Sequence, residues 1–302
     1  MKNITAHLSL LTCNLIWACA YPLYNLVMPN HIKPLPLYTA TIIFTALVSL
    51  LSLFFERRDD ERNRVERRDI GAIIGAALLI ALLRKSMLLF GLSMTSPIDG
   101  SIIASISPVV VLSISLISGV ELFSGRRALG ILLGFGGAIG VILTGGGGAQ
   151  AERGVWGNLL ILLCAFISSI YVVWFKSLLA RYSSTTLLRW MFCVAAIITA
   201  PVGMKSLLET SVEGWSLHIW LAVAYLVVLP TYLPNLLMTF GLNRVSPSMT
   251  SIYMYLQPTV AVAISVAFGL DKLRALTILF AALIFTGVGL AISSPATTKD
   301  EA

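Results

Sequence analysis

The chain has 302 residues, of which 57% are hydrophobic and only 12% are charged, and its mean hydropathy is +0.89. Soluble domains average about 25% charged residues, so this composition excludes an ordinary soluble domain and indicates a membrane protein. The net charge of +7 could suggest a nucleic-acid partner. Most basic residues, however, lie in the joints between apolar blocks, and we predict no nucleic-acid partner.

Ten apolar blocks follow one another along the chain, separated by short polar joints. A block of roughly 20 residues crosses the hydrocarbon core of a bilayer as a helix. We therefore predict an all-α membrane protein with ten transmembrane helices and the lipid bilayer as its surroundings. The blocks are residues 6–28, 36–55, 70–94, 97–119, 128–145, 155–180, 186–204, 216–241, 247–269 and 275–293.

The lysines and arginines of the joints predict the orientation of these helices. Thirteen of them fall on the side that holds the N-terminus, and six of the thirteen lie in the charged loop 56–69. Five fall on the other side. Basic residues concentrate on the cytoplasmic side of a membrane, so we predict that both termini are cytoplasmic.

The sequence repeats itself with a constant offset of 150 residues. FGLSMTSPIDGSIIASISPVVVLSISLISG begins at Phe90, and FGLNRVSPSMTSIYMYLQPTVAVAISVAFG begins at Phe240. The repeat predicts two five-helix halves, residues 1–145 and 154–302, joined by a glycine-rich linker at 146–153. Because five is odd, the second half would be inverted in the membrane. Inverted repeats are typical of secondary transporters, whose substrate site lies near the midplane between the halves.

The ten spans, the Ser-Pro before the fourth and ninth spans, and the mid-span prolines of ISPVV and LQPTV resemble the drug/metabolite transporter superfamily, EamA type. The resemblance covers essentially the whole chain. It implies a multi-pass protein of a bacterial inner membrane that moves small metabolites and often exports amino acids. With the N-terminus cytoplasmic and five spans before it, the linker 146–153 is predicted to be periplasmic. Relatives often carry an arginine early in the second span. PLYTATIIF lacks one, so no role of that arginine is carried over to the first half, although the seventh span keeps Arg189.

Two adjacent cations, Arg84 and Lys85, interrupt the apolar third span. A cation at the centre of a transmembrane helix costs about 2.5–3.5 kcal/mol, so such residues usually face a bundle interior or a wet cavity. They predict a site for a carboxylate, a phosphate or a similar anion. Alternatively, they bond helix carbonyls or waters and only hold helices together. Adjacent residues point about 100° apart around a helix, so one ligand is not expected to meet both, and the sequence favours neither.

Two prolines, Pro230 and Pro234, predict a break in the eighth span, because each removes a helix hydrogen bond. The offset of 150 pairs Arg84 with Pro234 and Lys85 with Asn235. Interrupted helices at matching positions in two halves indicate a transporter site, so Asn235 becomes a candidate for substrate binding and the prolines become candidate hinges. Kinked packing without a ligand is the alternative.

Pro108 and Pro258 are the corresponding candidate hinges in the fourth and ninth spans. Ser105 and Tyr255 precede them on the same face, and Gln257 lies on a neighbouring face. These three side chains could line a cavity. Small and hydroxylated residues also suit close packing between helices.

A polar and aromatic stripe runs along the first span through Asn14, Trp17 and Tyr21, and its repeat partner offers Tyr171 and Trp174. Such a stripe could stack on a ring or hold an ammonium group by cation–π attraction. Aromatic residues near span ends are more often interfacial anchors, which is our interpretation of Tyr24. A cation opposite aromatic walls would suit a zwitterion such as an amino acid, or an anionic heterocycle.

No signature of a metal, a cofactor or nucleotide hydrolysis is found; the run Gly145 to Gly148, for example, lacks the Gly-Lys-Ser/Thr of a phosphate loop. We therefore predict a secondary transporter of small polar metabolites, acting by alternating access in efflux or exchange. The alternatives are a transporter of cationic or aromatic compounds, and a non-transporting scaffold or sensor. An intramembrane enzyme is not expected. The glycines of the fifth span predict tight internal packing or, less strongly, a homodimer instead of a monomer.

Overall fold

The computed structural model describes residues 2–54, 61–119, 124–144, 151–242, 244 and 253–292. This part of the chain is helical and contains no strand. A π-helical segment, Ala77–Arg84, joins α3 to α4. The helices are α1 (Lys2–Val27), α2 (Pro34–Leu51), α3 (Ile70–Ala76), α4 (Lys85–Leu92), α5 (Pro97–Ala104), α6 (Ser107–Ile117), α7 (Gly125–Thr144), α8 (Ala151–Trp174), α9 (Lys176–Arg181), α10 (Ser184–Leu208), α11 (Leu217–Val228), α12 (Leu233–Leu242), α13 (Leu256–Ala267) and α14 (Ala275–Ile292).

Seven helical stretches of the described chain are long and apolar enough to cross a membrane, and the bent pair of α11 and α12 would make an eighth. The helices α13 and α14 are apolar but shorter. The prediction of an all-helical membrane protein is confirmed. The number of ten spans stays a prediction, since it requires α13 and α14 to cross the membrane as well. The orientation of the termini also stays a prediction.

Several predicted joints fall outside the described residues, namely parts of the loop 56–69, of the linker 146–153 and of the ninth block. The bounds of the two halves and of the linker stay a prediction. The helix α8 begins at Ala151, so the polar residues before the sixth block are helical. Alanine, glutamate and arginine are good helix formers, and they extend this helix beyond its apolar part.

Three of the prolines that we predicted to be hinges lie in the first turn of a helix. Four residues, 229–232, separate α11 from α12, Pro234 is the second residue of α12, and the two helices are bent by 49°. Pro108 is the second residue of α6, and Pro258 is the third residue of α13. Proline is tolerated in the first turn of a helix, where an N–H would have no partner. The predicted break in the eighth span is confirmed, whereas movement at these hinges stays a prediction.

Local geometry recurs at the predicted offset of 150 residues. The helix α6 ends at Ile117 and α13 ends at Ala267, and each is followed by a glycine of positive φ, Gly119 at 68° and Gly269 at 66°. Both glycines donate a backbone hydrogen bond of 3.1 Å to the carbonyl three residues earlier. Glycine closes helices in this way because it lacks a Cβ.

The π-helical segment was not predicted. Subtracting 150 from the break between α11 and α12 gives residues 79–82, which lie inside Ala77–Arg84. Segments of π-helix are rare and often lie at functional sites. The segment contains no proline or glycine, so no local feature of the sequence predicted it. Both halves are thus irregular at the same position.

A seam of glycines joins α7 to α14. A Cβ on Gly130 would lie 2.7 Å from the carbonyl oxygen of Gly287, and a Cβ on Gly137 would lie 2.7 Å from that of Phe280. The two backbones are therefore in direct contact. The predicted internal packing of the fifth-span glycines is confirmed, while a homodimer stays untested.

The seam yields a matched pair of variants in one helix. Gly287→Ala should lower the free energy of unfolding by about 1–3 kcal/mol, the usual cost of overpacking, because its Cβ would meet the backbone nitrogen of Gly134 at 2.5 Å. Gly289→Ala has no atom within 4 Å of its Cβ and should leave stability unchanged or slightly higher. Thermal melting in detergent measures both, and equal melting temperatures would contradict the seam.

Candidate functional site

Lys85, the first residue of α4, is buried with 7% of its surface exposed. Its Nζ donates to Tyr24 Oη at 3.3 Å and to Thr231 Oγ1 at 3.1 Å, and it lies 5.8 Å from the centre of the Tyr24 ring. Within the described chain, no carboxylate forms an ion pair with it. A buried ammonium group held by neutral hydroxyls alone is poorly compensated.

Thr231 lies in the break between α11 and α12 and is 4% exposed. Its hydroxyl accepts from Lys85, and its carbonyl oxygen accepts from Asn235 Nδ2 at 2.5 Å. Lys85 and Asn235 are the pair that the offset of 150 predicts to be equivalent. The structure therefore brings both to one residue of the broken segment.

Arg84 points to another helix. Its Nε donates to Ser168 Oγ in α8, and its carbonyl oxygen accepts from Cys164 Sγ at 3.3 Å. The divergence expected of adjacent residues is thus observed. Lys85 faces α1 and the break, whereas Arg84 faces α8 and connects α8 to the third span.

Trp17 fills the hydrogen-bonding gap that proline leaves. In a regular helix the carbonyl of Pro230 would accept from the N–H of residue 234, but Pro234 has none. Trp17 Nε1 donates to this carbonyl oxygen instead, at 3.0 Å. Tyr225 of α11 in turn donates to the carbonyl of Ile16 at 2.9 Å. These two bonds hold α1 against the break, and a buried carbonyl is satisfied.

Asn14 and Gln257 contact each other and not Lys85. Gln257 Nε2 donates to Asn14 Oδ1 at 2.7 Å, and Asn14 Nδ2 donates to the carbonyl of Leu10 at 2.7 Å. Asn14 lies ten residues before Tyr24, about 15 Å along the helix. These two residues form a polar bridge between α1 and α13, nearer to the N-terminal end of α1.

The remaining candidates, Tyr21, Tyr255 and Ser105, have separate surroundings. Tyr21 is buried, one helical turn before Tyr24. Tyr255 packs edge-on against Phe285, with ring centres 5.2 Å apart, and its buried hydroxyl has no hydrogen-bond partner in the described chain. Ser105 donates to the carbonyl of Ile102 at 2.6 Å and closes α5.

Tyr171 and Trp174 do not join the group around Lys85. Tyr171 stacks on Phe175 with ring centres 5.7 Å apart and bonds Met191 Sδ at 3.8 Å. Trp174 is 66% exposed, as suits an interfacial anchor. Two residues of this group were not among the predicted site residues. Tyr24 was interpreted as an interfacial anchor because it lies near the end of its span. Thr231 has no distinguishing feature in the sequence except its place between the two prolines.

Comparison with known proteins gives concordant results. The model of the EamA-like transporter family matches residues 4–143 and again residues 155–293. The chain is 22% identical over 258 residues to an uncharacterized transporter of Archaeoglobus fulgidus, a match that covers 85% of this chain and 86% of that protein. It is 23% identical over 257 residues to the uncharacterized transporter YdfC of Bacillus subtilis, covering 83% and 78%. A crystal structure of 20% identity aligns with a TM-score of 0.63 over 96% of this chain and 97% of that chain, a likeness of fold alone.

Two tryptophans test the role of the carbonyl of Pro230. Trp17→Phe should lower the free energy of unfolding by about 1–3 kcal/mol, the cost of leaving a buried polar group unsatisfied. Trp174→Phe makes the same chemical change at an exposed position and should leave stability unchanged. Thermal melting of both variants in detergent is the measurement. An unaltered melting temperature for Trp17→Phe would contradict the assignment.

Proposed function

The chain belongs to the EamA-like transporter family, as the resemblance of its sequence predicted, and we propose that it moves amino acids or related small carboxylates by alternating access, in exchange or efflux. That the protein is a membrane transporter follows from its family and from the uncharacterized transporters to which it is similar. The substrate class and the mechanism are inferred from the site. Lys85 is the residue that carries this inference.

The buried ammonium of Lys85 supports an anionic group in the substrate. It has two hydroxyl partners and no ion pair in the described chain. A substrate carboxylate would supply the missing counter-ion through a charge-assisted hydrogen bond. The buried rings of Tyr21 and Tyr24 are the surfaces against which the rest of the substrate, including an ammonium group, could pack. A purely cationic substrate is disfavoured, since Lys85 would repel it.

Alternating access requires contacts that close one side at a time. On the N-terminal side of Tyr24, Asn14 at the middle of α1 bonds Gln257 of α13, and His7 Nδ1 lies 2.9 Å from Tyr253 Oη. Both bonds join the first half to the second. In our proposal the halves are inverted repeats, this side is the cytoplasmic side of a bacterial inner membrane, and the bonds are broken when the protein opens inward.

The broken segment suits such a movement. Thr231 belongs to the break and contacts Lys85, while the π-helical segment ends immediately before Lys85. Backbone that is irregular in both halves can change its hydrogen bonds without unwinding a regular helix. Substrate bound at Lys85 would therefore lie beside the parts that move.

Transport by proteoliposomes tests the role of Lys85. With labelled amino acids as the panel, Lys85→Met should reduce counterflow about tenfold or more, because a hydrogen bond to a charged group contributes about 1.5–3 kcal/mol. The melting temperature should be unchanged or higher, since a poorly compensated buried charge is replaced by an apolar side chain of similar length.

The control is Lys205→Met, which removes an exposed cation and should transport as the wild type does. Normal counterflow by Lys85→Met would remove Lys85 from the site. Failure of the folded wild-type protein to move any amino acid or small carboxylate would remove the proposed function itself.

A further inference from the structure

A polar cavity of about 480 Å³ lies at the C-terminal end of α1, and neither Lys85 nor its partners Tyr24 and Thr231 line it. A volume of a few hundred cubic ångströms suits a small metabolite. The polar and charged residues that line it include Asn25, Asn30, Ser96, Arg153, Asp271 and Arg274. The cavity and the Lys85 group are neighbours, because Asn25 directly follows Tyr24 in the chain.

Arg274 is held in place beside this cavity. One guanidinium nitrogen donates to the carbonyl of Thr144 at 2.7 Å, and the other donates to Asp99 Oδ2 at 3.4 Å. Asp99 is 1% exposed, whereas the side chain of Arg274 is 36% exposed. A guanidinium group has five N–H donors, so these two acceptors leave donors for a ligand. A fixed arginine is well suited to bind a carboxylate through two parallel hydrogen bonds.

The charges around Arg274 define the chemistry of the ligand. Arg153 adds a second cation to the wall, and the half-buried Asp271 adds one carboxylate. Asp271 uses one oxygen for the backbone N–H of Lys272, at 2.7 Å, which leaves the other oxygen for a ligand. Cations and a carboxylate in one small cavity complement a molecule that carries both charges.

We propose that this cavity is a second binding site, for small zwitterions, distinct from Lys85. Arg274 binds the carboxylate of the ligand, and Asp271 accepts a hydrogen bond from its ammonium group. A solute would occupy this site on its way to or from Lys85, and the amino-acid class rests on the proposed function. The location of the cavity and the contacts of Arg274 are observed independently of that function.

Protection from a thiol reagent tests the second site directly. Asn30 is exposed and lines the cavity, so Asn30→Cys can be labelled with a maleimide, with the unmodified protein as background for its own four cysteines. The probes are the twenty L-amino acids, together with the amine and the acid that match any amino acid that protects. An amino acid should slow labelling, and its amine and its acid should do so about tenfold less well, because each lacks one charge.

Second substitutions in the Asn30→Cys protein show which residues the protecting ligand requires. Arg274→Gln should abolish it, and Arg274→Lys, which keeps a cation for Asp99 but not the planar fork, should weaken it about tenfold. Lys272→Gln removes a neighbouring charge that does not line the cavity and should preserve protection. Lys85→Met should preserve protection while counterflow falls about tenfold or more.

The outcomes separate the two proposals. Protection that survives Arg274→Gln in a folded protein, or that disappears with Lys85→Met, would show that the ligand is not bound in this cavity. Amino acids that are transported without protecting Asn30→Cys would also overturn the second site and leave the proposed function standing. A protein that neither transports nor is protected would overturn both.

Discussion

The hydrogen bond from Trp17 to the carbonyl of Pro230 is the contact on which the geometry of the site depends. Within a hydrocarbon core every backbone polar group needs a partner from the protein, and Pro234 deprives this carbonyl of its helical donor. The indole replaces that donor and fixes the first helix against the break. Thr231, one residue further on, is thereby held within reach of Lys85.

The parts that give rigidity are separate in this fold from the residues that we propose bind substrate. The seam between α7 and α14 brings two backbones into contact through glycines such as Gly130 and Gly287. Around Lys85 the contacts are few, polar and incompletely compensated. Such a site contributes little to stability. In our proposal, the carboxylate of the substrate binds there and compensates the charge of Lys85.

Sequence reasoning succeeded where local chemistry decides the outcome. Pro230 and Pro234 lie four residues apart and each removes a helix hydrogen bond, and the glycines of the fifth span permit close packing of helices, so both features were predictable. The choice between Arg84 and Lys85 was not, because it depends on how α1, α8 and the break surround the third span. Tyr171 and Trp174 show the same limit. Their spacing matches that of Tyr21 and Tyr24, but a repeat in sequence does not give both copies the same neighbours.

The charge of Lys85 also bears on how transport would be coupled. Passing from one access state to the other requires an occluded state, in which water no longer solvates the site. An empty site would then enclose an ammonium group with only the hydroxyls of Tyr24 and Thr231, and stripping the last water from such a charge is costly. A bound carboxylate compensates the charge at that moment. If Lys85 binds the substrate, the loaded protein therefore changes its access state more readily than the empty protein does. Exchange of one substrate for another is then favoured over net movement. This preference does not require a carboxylate that carries protons across the membrane.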